Sequence, residues 1–71
     1  MTAREMAELA GLPPRLTYTV KQTSAYSGIP ERVIRTEIAA GRLPAVKPRG
    51  SERGTFIRPE DVDAWMEDNA A

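Results

Sequence analysis

Apolar residues recur at helical spacing in four segments of the 71-residue chain and alternate with polar ones in three more, with Gly, Pro and capping residues at the boundaries. The most complete segment is GIPERVIRTEIAAGRL, residues 28–43. Ile29, Val33, Ile34 and Ile38 fall near one face of a helix, and Leu43 continues the burial just beyond its end. Gly28 suits the turn that closes a preceding helix. Pro30 fits a first helical position, where its missing N–H is no loss, and Gly41 stops the helix. Arg32, Arg35 and Thr36 are left facing outward. Taken alone, two cations and a hydroxyl on the exposed side of a short helix serve solvation more readily than recognition.

The remaining elements are shorter. Thr2 and Glu5 have capping-box spacing, which predicts a helix from Thr2 through Ala10 with Met6, Leu9 and Ala10 as its apolar stripe and Gly11 as its stop. Leu12-Pro13-Pro14 then breaks the chain. A helix this short is marginal by itself, so it either docks on the rest of the molecule or frays, and the pattern does not choose. Arg15 to Tyr18 alternates and predicts an extended lead-in. Thr19 and Gln22 repeat the capping-box spacing and start a helix at Val20, with Val20, Thr23, Ala25 and Tyr26 as its inner surface and Gly28 as its end. Because the next helix begins almost at once, the two form a helix-turn-helix with a tight turn at Gly28-Ile29. Such a pair is equally an ordinary structural corner.

After Gly41 the period changes from helical to alternating. Leu43–Lys47 predicts a short strand, which Pro44 restricts to an edge or to the strand's start, and Thr55–Arg58 predicts its partner. Between them Pro48–Gly54 forms a basic hairpin loop, with Gly50 and Gly54 suited to turn conformations of positive φ. That loop is a wing. Pro59 fits another first helical position, Glu60, Asp61 and Asp63 favour the positive end of the helix dipole, and Val62, Trp65 and Met66 make the buried face. Trp65 therefore belongs to the core rather than to a base-stacking surface. The expected fold is α+β and mainly helical, a small winged helix-turn-helix of three core helices and a two-stranded wing, with a possible extra N-terminal helix. Residues 15–68 form the domain, 1–14 an N-terminal arm or short helix, and 69–71 a frayed end.

Composition changes this picture in two ways. A chain of 71 residues buries only roughly 60% of its unfolded surface, which leaves no room for an enclosed active site. The absence of Cys and His removes disulfides, thiolate and imidazole chemistry and the usual transition-metal ligands, so neither enzyme activity, a metal nor a cofactor is expected. The opening MTAREMAELAGL is too polar for a signal-peptide core and nothing approaches a membrane span, so a cytoplasmic protein with no membrane partner is expected. The second change concerns charge. The formal net charge is zero, yet residues 15–58 carry nine basic side chains against the three acids Glu31, Glu37 and Glu52, while residues 59–71 carry five acids and no base. A basic middle and an acidic end are expected where one surface meets a polyanion and another does not. Lys47, Arg49, Arg53 and Arg58, on or beside the wing, are placed to straddle a phosphate backbone or enter a minor groove. Lys21 and Arg42 are further candidates for phosphates. Arg32, Arg35 and Thr36 are the candidates for base edges, Arg being able to bridge guanine O6 and N7.

The assembled pattern, TVKQTSAYSGIPERVIRTEIAAGRLPAVKPRG followed by GTFIRPEDVDAWM, resembles the excisionase-like, MerR-related winged helix-turn-helix domains. The resemblance runs from about Tyr18 to Glu67 and rests on Thr19-Val20, Ala25, Gly28-Ile29, Ile34, Ile38, Gly41-Arg42-Leu43-Pro44-Ala45, Ile57-Arg58 and Glu60-Asp61-Val62 with Trp65. Two positions depart from it. Members often carry Ser or Thr before the recognition helix and a large apolar residue in its interior, where this chain has Pro30 and Glu37. Glu37 then sits at a solvent edge or pairs with a neighbouring cation such as Arg42. The resemblance implies a phage or mobile-element excisionase, a recombination directionality factor. Such a protein binds double-stranded DNA sequence-specifically and cooperatively beside other protomers in the bacterial host, and bends attachment-site DNA so that a phage integrase excises. The same domain serves equally as a small MerR-like transcriptional regulator at a promoter. A protein-interaction module with a basic face is the reading from another class. The acidic Pro59–Ala71 segment contacts a basic neighbour's wing or the integrase, or serves only solubility and helix capping.

Overall fold

The computed structural model describes residues 1–49 and 54–70. Its elements run α1 (Ala3–Leu9), β1 (Tyr18–Thr19), α2 (Val20–Ser27), α3 (Glu31–Ala39), β2 (Phe56–Ile57) and α4 (Pro59–Asp68). Short-range chemistry starts and stops these helices. Thr2 caps α1 and Thr19 caps α2, each accepting from the backbone N–H three residues on while Glu5 or Gln22 returns the bond. Gly28 ends α2 in the left-handed region at φ 78°, donating its N–H to the Ser24 carbonyl at 2.9 Å. Pro59 opens α4 at its first turn, followed by Glu60 and Asp61.

Pro30 differs from the expectation by one position. It caps α3 at ψ 142° rather than occupying the first helical residue, and its carbonyl accepts from Val33 and Ile34. A proline contributes no side-chain cap, so its gain is the fixed φ alone.

The helix faces are set by packing, and here several expectations are corrected. The short N-terminal helix docks on α2 and α4 through Ala3 and Ala7, the latter wholly buried, whereas Met6, Leu9 and Ala10 face outward. Small side chains bring the backbones close. The Ala3 N–H then donates to Asp63 Oδ1 at 2.8 Å, and Arg4 pairs with Glu60 at 2.8 Å. In α2 the inner face is Val20, Thr23 and Tyr26, and Ala25 is exposed. In α4 Val62 is buried and Trp65 half-buried, but Met66 is half exposed.

Tyr18 and Tyr26 meet edge to face, their ring centroids 5.8 Å apart, at the middle of a core completed by Val20, Ile34, Leu43, Ile57 and Val62. The Tyr18 hydroxyl donates to the Pro13 carbonyl at 2.9 Å, which ties the proline segment to the core.

The sheet is also paired differently. β1 lies antiparallel to β2, with Tyr18 opposite Ile57 and Thr19 opposite Phe56. The expected strand at Leu43–Lys47 is reduced to one bridge, in which Val46 and Phe56 exchange both backbone bonds at 2.7 and 2.9 Å. Leu43 turns into the core instead, and Pro44 has no N–H to extend a ladder. The tip of the expected wing, including Gly50 and Arg53, lies outside the described residues. The architecture of the described residues is nevertheless α+β and mainly helical, four helices with a two-stranded antiparallel sheet, consistent with a winged helix-turn-helix.

Candidate nucleic-acid interface

The surface of α3 is presented by the turn that precedes it. Positive φ at Gly28 reverses the chain, the Ser27 hydroxyl accepts from the Ile29 N–H at 3.2 Å, and α3 starts two residues later. One face of α3 then buries Ile34 and half-buries Val33 and Ile38. Arg32 and Thr36 lie on the side away from that face and Arg35 on its flank, all three exposed. The Thr36 hydroxyl gives its proton to the Arg32 carbonyl one turn back, at 2.8 Å, and keeps its lone pairs as acceptors. Arg35 and Glu31 form a loose pair at 3.8 Å with both side chains well exposed. Arg32 makes no ion pair among the described residues.

The other candidate cations fall into two groups. Lys21 on α2 and Lys47 and Arg49 in the segment after α3 are exposed and make no ion pair among the described residues. Arg42 and Arg58 reach the surface already engaged. Arg42 holds Glu37 through Nη2 at 2.6 Å and Nε at 3.0 Å, and Arg58 holds Asp61 through Nε at 2.8 Å and Nη2 at 3.1 Å. Each carboxylate raises the pKa of its guanidinium further. Each arginine can offer a phosphate only the N–H groups its carboxylate leaves. Arg53 lies outside the described residues.

Glu37 resolves the oddity seen in the sequence. Its side chain is only 12% exposed, and it accepts from Arg42 and, at 2.9 Å, from the Trp65 indole N–H. The Arg42 hydrogen bonds, then that of Trp65, hold its carboxyl below the usual range. The acid therefore ties α3, the turn after it and α4 together. Sequence reasoning anticipated Arg42 as its partner but missed Trp65, although an acid at an apolar helical position in a chain with a single indole donor is a signal for such a bond. It also missed Thr55, which lies beside Arg35 in the shallow concavities between α2, α3 and β2.

Among the described residues no group of acidic side chains is placed to hold a metal, and no helix is long and apolar enough to cross a membrane. What the arrangement offers is a convex helix face with arginine donors, flanked by cations from two other segments that make no ion pair among the described residues. That shape fits a groove and its bordering phosphates.

A family model described as a helix-turn-helix domain matches residues 17–70. No curated protein and no solved structure matches the chain. The matched span includes β1, α2, the Gly28 turn, α3, β2 and α4. It leaves out residues 1–16, with α1 and the proline segment, and residue 71. The chain belongs to the helix-turn-helix domain family, and membership implies binding to double-stranded DNA.

Proposed function

We propose that the protein is an excisionase-like, sequence-specific DNA-binding protein that lays α3 in a major groove and its cationic wing segment against the neighbouring backbone or minor groove. The observation that carries this reading is the exposed row Arg32, Arg35 and Thr36 on the helix that follows the Gly28 turn. Arg32 and Thr36 supply the polar groups that read base edges. Lys21, Lys47 and Arg49 supply phosphate contacts, with Arg53, Arg42 and Arg58 secondary.

One short helix and one loop provide few contacts, so a single copy binds weakly and several copies act side by side. Bending DNA by some tens of degrees costs on the order of a few kcal/mol, which neighbouring protomers share. The bent, protein-coated attachment site is what directs an integrase toward excision.

The test is a gel-shift titration on a fragment carrying an integrase attachment site beside a scrambled fragment, with and without the integrase. Stepwise, sequence-dependent complexes that stimulate excision and suppress integration are the expected result. Specific binding with no effect on recombination would replace the excisionase role with that of a promoter-binding regulator. Binding only to acidic proteins would leave an interaction module with a basic face.

A further inference from the structure

Two shallow concavities of about 160 and 200 Å³ lie side by side between the start of α2, the flank of α3 and the base of the wing. They share Val20, Arg35 and Thr55; Lys21 lines the first and Lys47 the second. Arg35 thus borders both concavities, with Lys21 beside it in the first and Lys47 in the second, and both are lined by apolar Val20 and the hydroxyl-bearing Thr55. Among the described residues no carboxylate lines either concavity. Among the described residues the one carboxylate paired with Arg35 is that of Glu31, 3.8 Å away across one exposed helical turn, too loosely held to hold the guanidinium in place.

Like charges gathered without an acid between them repel one another, and an anion relieves that repulsion. Arginine's planar fork meets two oxygens of a phosphate at once, lysine adds a mobile point charge, and a threonine hydroxyl can donate a third bond. Position on the helix separates Arg35 from its neighbours. Arg35 shares its side of α3 with Ile38 and Ala39, which line the second concavity, whereas neither Arg32 nor Thr36 lines either one.

We infer that Arg35, Lys21, Lys47 and Thr55 form a seat for the backbone phosphate of duplex DNA, so that Arg35 sets affinity and register while sequence preference falls to Arg32 and Thr36. This rests on the DNA-binding reading above and replaces one part of the sequence expectation, which grouped Arg35 with the base readers. The chemistry is that of a phosphodiester flanking the groove occupied by α3.

The test uses the full chain and two duplexes, one selected from a random-sequence library by the wild-type protein and one scrambled, titrated by fluorescence anisotropy at several salt concentrations. Circular dichroism and thermal melting establish that each variant is folded. Arg35→Ala is expected to weaken both duplexes by the same factor, about tenfold, and to make the slope of log K against log salt shallower by about one. Lys21→Ala and Lys47→Ala do the same to a smaller extent, Arg35→Lys restores part of the loss, and Arg32→Ala weakens the selected duplex far more than the scrambled one. A loss with Arg35→Ala that is confined to the selected duplex, or no loss on either, overturns the seat. Failure of the wild-type protein to bind any duplex overturns the DNA-binding reading itself, a result distinct from either.

Discussion

Glu37 shows how much one side chain can depend on residues far from it in the chain. Its position is one at which the resemblance implies a large apolar residue, and the cost of an acid there is met by Arg42 five residues on and by Trp65 on another helix. Both partners stabilise the ionised form, so the folded-state pKa lies below the ordinary 4.5. Stability from this carboxylate is therefore fully present above the unfolded-state value and is lost as pH falls through the lower folded-state value. Glu37→Gln is expected to melt at a lower temperature than wild type at neutral pH, and the two melting curves should converge as the pH is taken below 4.5. Thermal melts across that range, followed by circular dichroism, check it; a constant difference at all pH values would mean that the charge plays no part. Arg42 and Arg58 carry the same lesson for function. Composition counts them as cations available to a polyanion, whereas in the fold each is bound to a carboxylate.

Elements in this chain are bounded locally and oriented remotely. Gly28 illustrates the first half. It holds φ 78°, yet a Cβ built there would meet nothing within 4 Å, so Gly28→Ala is expected to cost about 1–2 kcal/mol through backbone conformation alone. Chemical denaturation with an unchanged m-value is the check. The helix α1 illustrates the second half. Capping chemistry placed its start at Thr2, but the stripe Met6, Leu9 and Ala10 is the outer face, and Ala3 and Ala7 are the inner one. Ala7→Glu should therefore destabilise by more than about 3 kcal/mol, since it buries a charge in a tightly packed contact, while Leu9→Glu, at a residue 70% exposed, should stay within about 0.5 kcal/mol of wild type. Equal effects of the two substitutions in denaturant titrations would show that the helix does not dock in solution. The strand pairing follows the same rule. Tyr18, read as the end of a lead-in, and Thr19, read as a helix cap, pair with Phe56-Ile57, while the segment expected to pair supplies only Val46.

For the molecule as a whole, zero net charge conceals a division of labour. Two acids of α4 and its first turn are spent on nearby cations, Glu60 on Arg4 and Asp61 on Arg58, and Asp63 accepts from the Ala3 N–H. The exposed cations Lys21, Arg32, Lys47 and Arg49 carry no such partner among the described residues. Binding to duplex DNA should consequently depend steeply on salt even though the protein is formally neutral. With at least three cations meeting phosphates, log K is expected to fall against log salt with a slope steeper than about −2. Anisotropy titrations over a range of salt concentrations measure this. A slope near zero would place the binding energy in apolar or neutral contacts and contradict the role given to these side chains.

By itself the sequence left the N-terminal segment as either an arm or a short helix, and it determined the three core helices to within about a residue of their ends, the helix-turn-helix centred on Gly28, and the exposure of Arg32, Arg35 and Thr36. All of these follow from interactions between residues within about four positions of one another, which capping pairs, glycine stops and amphipathic spacing report directly. Tertiary structure alone decided which face of α1 is buried, which segment pairs with Phe56-Ile57, which arginines are already bound to carboxylates, and that Arg35 stands beside Lys21, Lys47 and Thr55. Those facts depend on groups up to 60 positions apart, as Ala3 and Asp63 are. A one-dimensional pattern of polar and apolar residues shows that a surface will be covered; it does not name what covers it.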